Sequence, residues 1–215
     1  MVHRTPFFLP ILYPSLTWRM TADSKTLYLT FDDGPVPGPT EFVLEILNRA
    51  GVKATFFCIG DNIRKHPDIF KNILTHGHAI GNHTYHHLNG WKTNVDDYVK
   101  NVALCREEIV AHFSAQYSAC YQHLFRPPFG RISRNQIKNL QSEYKIIMWD
   151  VLSIDYNKNV SIEKCLKNTI SASRPGSIIV FHDSYKAEKN LMYALPRFIE
   201  HALESGYVFD VLKGY

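Results

Sequence analysis

The stretch TLYLTFDDGP, residues 26–35, sets an apolar run directly against two acidic residues and a Gly-Pro pair. The run TLYLTF predicts a buried β-strand, and the Gly-Pro pair predicts a turn after it. Asp32 and Asp33 therefore fall at the carboxyl end of this strand. Because adjacent carboxylates repel each other unless a positive group lies beside them, the stretch also predicts a cationic partner at the strand end.

Short apolar runs alternate with longer amphipathic stretches along the rest of the chain. Further strands are predicted at KATFFCIG, HAIGN, HLFRP, YKIIMW, SIIVFHD and YVFDV. Strands that are nearly continuous apolar runs, separated by helices, are typical of parallel pairing with helices on the outside. The pattern predicts an α/β fold, a distorted or incomplete (β/α) barrel of about seven parallel strands. An open doubly wound sheet is the alternative.

Capping signals place several of the helices between these strands. Thr40 is predicted to cap the helix in TEFVLEILNRAG, and Ser133 with Gln136 predicts a capping box. A long helix is predicted over residues 94–112, and the last helix is predicted to be disturbed at Pro196. These assignments support a regular succession of strands and helices.

Composition narrows the class of protein. The chain has 215 residues, 45% hydrophobic and 20% charged, which is ordinary for a globular domain. Its formal net charge is +4 with no basic stripe, which argues against nucleic acid as a partner. The four cysteines are widely spaced without a C-x-x-C, which argues against a thiolate zinc site and a disulfide framework.

Residues 1–25 are predicted to be an N-terminal extension packed on the barrel, with the catalytic domain over residues 26–215. Pro6, Pro10 and Pro14 interrupt the apolar start of the chain, so no transmembrane segment or secretory signal is predicted there. The expected location is therefore cytoplasmic. The sequence does not indicate an oligomeric state.

Chemistry-bearing residues follow the predicted strands at their carboxyl ends. They are Asp32 and Asp33 after the first strand, His83 to His87 after the third, Arg126 at the fourth, Asp150 and Asp155 after the fifth, and His182 at the sixth. In a parallel barrel these ends gather at one face, where the active site forms. The pattern predicts one shared site.

The segment GNHTYHH contains a candidate metal-binding pair. His83 and His87 are four residues apart, and Asp33 supplies a carboxylate for a set of two imidazoles and one aspartate. Thr84 follows His83 where a protease helix would have Glu, and spacing favours His87 over His86. A bound cation would relieve the Asp32–Asp33 repulsion and let Asp32 act as general base toward water. The alternative is ordinary Asp-Gly-Pro turn chemistry.

Two further segments suggest partners for these groups. Arg126, held before two prolines in FRPPFG, could keep Asp32 ionised, although a solvated loop arginine is an equal alternative. His182 in VFHD is a candidate general acid for an amine leaving group. Asp155 is the preferred carboxylate partner of His182, with Asp150 as the competing choice.

The motifs TFDDGP, HTYHH, RPPFG and VFHD, in this order, resemble those of the polysaccharide deacetylases with a NodB-homology domain, carbohydrate esterase family 4. The resemblance extends from about residue 26 to the last helix. It implies a distorted (β/α) barrel and a metal-dependent hydrolase. The implied substrates are carbohydrates with N-acetylglucosamine-type units, in a polysaccharide, an oligosaccharide or a peptidoglycan-related glycan.

The resemblance also implies a role for each matching residue. Asp32 is similar to the catalytic base and His182 to the catalytic acid, with Arg126 orienting the base and Asp155 tuning the acid. The set is completed by Asp33, His83 and His87 as metal ligands, the backbone N–H of Phe129 as oxyanion donor, and Tyr156 and Val180 at the acetyl methyl group. The implied cofactor is one divalent ion, Zn²⁺ first, with Co²⁺, Ni²⁺ or Mn²⁺ as alternatives.

This chain departs from the usual motifs at two pocket positions, with Tyr156 where Trp is common and Val180 where Leu is common. Other functions stay open. They are removal of an acetyl or formyl group from a small or lipid-linked amino sugar, hydrolysis of cyclic amides, and sugar binding without catalysis. The intact trio of Asp33, His83 and His87 argues against cyclic amide hydrolysis.

Overall fold

The computed structural model describes residues 3–21, 24–113, 117 and 120–214. The strands are β1 (Thr26–Asp32), β2 (Thr55–Cys58), β3 (Ala79–Asn82), β4 (Tyr121–Phe125), β5 (Lys145–Ile146), β6 (Val151–Leu152), β7 (Ile178–His182) and β8 (Val208–Phe209). The α-helices are α1 (Phe8–Leu12), α2 (Pro39–Ala50), α3 (Gly60–Lys65), α4 (Pro67–Thr75), α5 (Val95–Ala111), α6 (Arg134–Leu140), α7 (Ile162–Ala172) and α8 (Glu188–Glu204). Short 3₁₀ turns lie at Gly90–Lys92 and Pro128–Gly130.

Seven strands lie side by side in the order β5-β4-β3-β2-β1-β7-β6, and β8 pairs with the start of β1. The pairings between these strands are parallel. The strand β1 lies between β2 and β7, and its last residue, Asp32, is in register with Phe57 on β2 and His182 on β7. This arrangement agrees with the predicted incomplete barrel, whose two edge strands are β5 and β6.

The N-terminal segment runs along both edges of the sheet. Arg4 forms an antiparallel bridge with Val151 at the β6 edge, and Thr17 forms a parallel bridge with Ile147 beside β5. An unpaired strand edge exposes backbone groups that can pair with another chain, so this segment protects the gap in the barrel. The predicted boundary at residue 25 stays a prediction. Residues 1, 2, 22, 23, 114–116, 118, 119 and 215 of the predicted domains lie outside the described residues.

The core lies between the sheet and the outer helices. Phe31 and Phe56 on neighbouring strands stack with ring centroids 5.1 Å apart, and Phe181 packs beside Phe198 of α8 at 6.0 Å. Burial of each of these phenylalanine side chains stabilises the fold by roughly 1.5–3 kcal/mol relative to an exposed side chain. None of the described helices combines the length and apolar character needed to cross a membrane. The four cysteines are free.

One of the two predicted helix caps is present. Ser133 and Gln136 form the capping box of α6, and Asn94 caps α5 by accepting a hydrogen bond from the Asp97 N–H. The helix α8 continues through Pro196 to Glu204. The predicted cap at Thr40 is wrong, because α2 begins at Pro39 and the buried Thr40 hydroxyl instead donates to Asp183. Pro39 favours the first helical position, where no N–H is needed.

Candidate active site

A cavity of about 380 Å³ opens at the carboxyl ends of the strands. It is lined by Asp32, Asp33, His83, His87, Phe129, Arg131, Trp149, Leu152, Tyr156, Val180, His182 and Lys186. Asp32 and His182 end the neighbouring strands β1 and β7, and His83 directly follows β3. The parallel sheet therefore gathers residues that are far apart in the sequence at one face.

Asp33, His83 and His87 form a compact group of potential ligands. Their donor atoms all lie within 4.8 Å of one another. The Asp33 Oδ1 atom is 3.1 Å from His87 Nε2 and 3.7 Å from His83 Nε2. Two imidazole nitrogens and one carboxylate oxygen suit a divalent ion and leave coordination positions open.

The protonation states of this group also fit a metal ion. His83 Nδ1–H donates to the Arg126 carbonyl at 2.7 Å, which leaves the lone pair of Nε2 on the side of Asp33. Burial lowers the pKa of His83 to about 4, so its imidazole is neutral at pH 7. Burial raises the pKa of Asp33, but the hydrogen bond from His87 and the neighbouring histidine charges outweigh it and hold this pKa well below its usual value.

Asn101, on α5, holds the loop that carries the two histidines. Its Oδ1 accepts hydrogen bonds from the Tyr85 and His86 N–H groups at 2.8 and 3.0 Å, and its Nδ2 donates to His86 Nδ1 at 2.9 Å. His86 therefore faces α5 and lies outside the ligand group, as its spacing suggested. Sequence reasoning missed Asn101, because a buried polar residue in a helix has no motif of its own.

Replacing Asn101 with Ala is expected to weaken divalent-metal affinity by about tenfold, because the loop between the ligands loses its support. Competition against a metal-binding dye would measure the dissociation constant. Asn139→Ala, at an exposed α6 residue whose side chain bonds only a carbonyl one turn earlier, is the matched control. Equal affinities of Asn101→Ala and the wild type would contradict this role.

Asp32 pairs with Arg126 beneath the cavity. The Arg126 Nη1 donates to Asp32 Oδ1 at 2.7 Å and to Thr30 Oγ1 at 2.8 Å, and Nη2 donates to the Met148 carbonyl at 2.9 Å. Arg126 is fully buried, with its guanidinium 4.1 Å from the centroid of the Phe57 ring. The two adjacent carboxylates therefore face different partners, the Arg126 guanidinium for Asp32 and the imidazoles of His83 and His87 for Asp33.

His182 pairs with Asp155. The His182 Nδ1–H donates to Asp155 Oδ1 at 2.7 Å, and the His182 backbone N–H donates to Oδ2 at 2.8 Å. Burial alone lowers the pKa of His182, but the charge and hydrogen bond of Asp155 outweigh it and raise this pKa to about 9. Asn190 of α8 donates to the Asp155 carbonyl at 2.9 Å and fixes the loop. His182 is thus an imidazolium at neutral pH.

Asp150, the competing partner for His182, does not line the cavity and pairs with other residues. Both of its carboxylate oxygens accept hydrogen bonds from Arg174, at 3.0 and 3.1 Å, and Oδ2 also accepts one from Ser177 at 2.7 Å. The expectation that Asp150 follows a strand at the active-site face is wrong. The strand β5 ends at Ile146 and β6 begins at Val151, so Asp150 precedes a strand. It therefore lies at the opposite face of the barrel, where the strands begin.

The remaining predicted residues also border the cavity. The Phe129 ring packs edge-on against His87 with centroids 4.5 Å apart, and Tyr156 packs edge-on against His182 at 5.0 Å. Phe129 has a left-handed backbone, with φ of 61°. Val180 lies on β7, two residues before His182. The roles of Phe129, Tyr156 and Val180 stay predictions.

The structure brings all ten predicted site residues together. Eight line the cavity, and Arg126 and Asp155 lie directly behind Asp32 and His182. Sequence reasoning missed four other lining residues, namely Arg131, Trp149, Leu152 and Lys186. Arg131 directly follows the segment FRPPFG, and Trp149 is the last residue of the run YKIIMW, but no spacing rule marks either as a pocket residue.

Comparison with known proteins identifies the family. The family model described as polysaccharide deacetylase matches residues 19–146. A peptidoglycan-N-acetylglucosamine deacetylase of Bacillus cereus is 41% identical over 157 residues, which cover 73% of this chain and 55% of that protein. A chitooligosaccharide deacetylase of Azorhizobium caulinodans is 33% identical over 180 residues, 81% of each chain.

A solved structure extends the similarity to nearly the whole fold. A peptidoglycan N-acetylglucosamine deacetylase, in complex with 4-naphthalen-1-yl-N-oxidanyl-benzamide, superposes with a TM-score of 0.86. It is 33% identical, and the match covers 97% of this chain and 95% of that one. The predicted fold class is confirmed. With its Asp-His-His group at the face where the matched strands end, this chain belongs to the metal-dependent polysaccharide deacetylase family.

Proposed function

We propose that this protein hydrolyses the N-acetyl group of N-acetylglucosamine-type units in a polysaccharide, an oligosaccharide or a peptidoglycan-related glycan, giving an amino sugar and acetate. One observation carries the proposal. A potential metal group, a carboxylate paired with a buried arginine, and an imidazole paired with a carboxylate meet at one cavity. Two relatives, a peptidoglycan-N-acetylglucosamine deacetylase and a chitooligosaccharide deacetylase, support this substrate class.

Asp33, His83 and His87 are proposed to hold one divalent ion, with Zn²⁺ as the first choice. Two imidazoles and a carboxylate also accept Co²⁺, Ni²⁺ or Mn²⁺, so availability in the cell contributes to the choice. When bound, such an ion supplies Lewis-acid chemistry, acidifying water and polarising a carbonyl oxygen. The neutral His83 and ionised Asp33 are ready to bind it without losing a proton.

The protein's own groups move the protons. Asp32 accepts a proton from the attacking water, whose oxygen forms a bond to the acetyl carbonyl carbon. The Phe129 N–H is proposed to donate a hydrogen bond to the oxyanion that develops. His182 then gives its Nε2 proton to the sugar nitrogen as the carbon–nitrogen bond breaks, and acetate leaves. Arg126 keeps Asp32 ionised and oriented, and Asp155 fixes His182 through Nδ1.

The side chains of Tyr156 and Val180 are proposed to enclose the acetyl methyl group. Both line the cavity beside His182. Tyr156 is smaller than the Trp common at this position and carries a hydroxyl, which gives the pocket a different wall. The cytoplasmic location and the domain boundary at residue 25 stay predictions.

Metal removal tests the proposed function. Chelation is expected to lower acetate release from N-acetylated oligosaccharides by more than about tenfold, and added Zn²⁺ is expected to restore it. The measurement is acetate release across a panel of N-acetylated sugars, oligomers and glycan fragments, with and without chelator. A panel that includes formylated and lipid-linked amino sugars separates the small-substrate alternative.

The proposal is wrong if the zinc-supplemented protein releases acetate from no member of the panel. Binding of the same oligomers without acetate release would favour the alternative of a catalytically silent carbohydrate-binding protein. Acetate release that persists unchanged after complete metal removal would overturn the assignment of Asp33, His83 and His87 as metal ligands.

A further inference from the structure

Two cations line the cavity without a neutralising partner. Within the described part of the chain, neither the Arg131 guanidinium nor the Lys186 ammonium forms an ion pair or a side-chain hydrogen bond. The other ionic groups of the site are matched, Asp32 with Arg126, and His182 with Asp155. The proposed chemistry uses neither Arg131 nor Lys186, and their charge is therefore available to a ligand.

Arg131 lies on the side of the metal-binding histidines. Its guanidinium is 5.2 Å from the centroid of the Trp91 ring, and Trp91 Nε1–H donates to the Ile132 carbonyl at 3.3 Å, which anchors that ring. Trp91 is 67% exposed, with the Arg131 guanidinium over its ring, and it lies next to the residues that line the cavity. Arg131 stands two residues after Phe129, whose ring packs on His87. An exposed aromatic ring beside a cation suits a sugar that bears a negative charge.

Lys186 lies on the side of the catalytic acid. Its ammonium is 5.3 Å from the centroid of the Tyr156 ring, whose edge contacts the His182 ring. The ammonium is therefore one aromatic ring removed from the proposed proton donor. Lys186 also borders a second cavity of about 270 Å³, whose other charged lining residues are Lys158, Lys189, Glu188 and Asp155. Because Asp155 is paired with His182, three lysines face one remaining carboxylate there, and this side carries a net positive charge.

From these positions we propose that the cavity binds glycans with an acidic group, a carboxylate or a phosphate ester, on the sugars flanking the one that is deacetylated. Arg131 binds an acidic group on the sugar at the histidine side of the site, and Lys186 binds one on the sugar at the His182 side. An N-acetylated hexose without such a group is neutral and offers no anionic partner to either cation, only hydroxyl and amide oxygens. This inference rests on the proposed function, because the reacting sugar defines which units are the flanking ones.

Binding measurements test the inference without requiring turnover. The full chain with added Zn²⁺ is used in the Asp32→Asn background, so that the glycan is not consumed. Calorimetry gives dissociation constants for three probes, neutral N-acetylchitopentaose and its 6-carboxylated and 6-phosphorylated forms. The two acidic probes distinguish carboxylate from phosphate recognition.

At low salt the preferred acidic probe is expected to bind several-fold more tightly than the neutral one. High salt should reduce this preference, because the Debye screening length falls to about 3 Å at 1 M. Lys186→Gln and Arg131→Gln should each lower the ratio of the two affinities by about threefold, as for a partly exposed ion pair. Lys186→Arg should retain the ratio.

Two matched variants control for general charge effects. Lys25 lies 5.8 Å from the centroid of Tyr207, and Arg197 lies 4.0 Å from that of Tyr193, in each case outside the substrate cavity. Lys25→Gln and Arg197→Gln should leave the ratio unchanged.

Equal dissociation constants for all three probes would overturn the inference, and so would control variants that lower the ratio as much as Lys186→Gln. Neither result affects the proposed function, which is judged separately by acetate release from the wild type. Conversely, if the wild type binds acidic glycans preferentially but releases no acetate, the binding inference is supported and the proposed function is wrong.

Discussion

Asp32→Asn is expected to lower the turnover number for acetate release by about 10³-fold, because an amide cannot accept the proton of the attacking water. Asn retains the size of Asp32 and an oxygen that can accept the hydrogen bond from Arg126, now 2.7 Å from the carboxylate. Asp32 lies outside the Asp33–His83–His87 group, so bound metal should stay at the wild-type level. Acetate release and metal content are measured on the same preparations.

The control for this substitution is Asp61→Asn. Asp61 lies on α3, pairs with Arg64 and Lys65, and does not line the cavity. Its replacement should leave turnover unchanged. Thermal unfolding of both variants checks that they remain folded. This check is needed because Asp32→Asn leaves the buried Arg126 charge without its ionic partner, which is costly. An Asp32→Asn protein that binds metal and keeps more than about a tenth of wild-type turnover would contradict the general-base role.

His182→Asn is expected to lower the turnover number by about 10²-fold or more, because the departing sugar nitrogen then lacks a proton donor. The pH dependence identifies the group. His182 must be protonated, and its pKa is raised to about 9, so activity should fall as the pH rises through that value. A cation at Asp33 lowers the pKa of His182, so all profiles are compared at the same metal concentration.

Asp155→Asn should move the alkaline fall of the pH profile to lower pH, since its carboxylate is the main group that raises the pKa of His182. Asp150→Asn is the matched control. Asp150 is equally buried but bonds Arg174 and Ser177 at the opposite face, so its loss should alter stability and leave the profile in place. If the activity of Asp155→Asn and of the wild type falls at the same alkaline pH, Asp155 does not raise the pKa of His182.

Local patterns predicted much of this molecule. The run before Asp32 forms the strand β1, and the Ser133–Gln136 box starts α6, because both depend on neighbouring residues. Helix α3 was missed, since its six residues are too few to show a 3.6-residue period. The strand β6 was missed because its two residues are too few to show the alternation typical of a strand, and that error placed Asp150 at the wrong face.

The amino-acid sequence by itself determined the parallel α/β fold, the family and the ten candidate site residues, because apolar periodicity and short motifs are local properties of the chain. Only the tertiary structure decided which charges meet. Arg126 and Asp32 are 94 positions apart, and the choice between Asp150 and Asp155 depended on strand register across 27 positions. The support from Asn101 and the unpaired charges of Arg131 and Lys186 likewise depend on which groups the folded chain places beside them, and no local spacing encodes that.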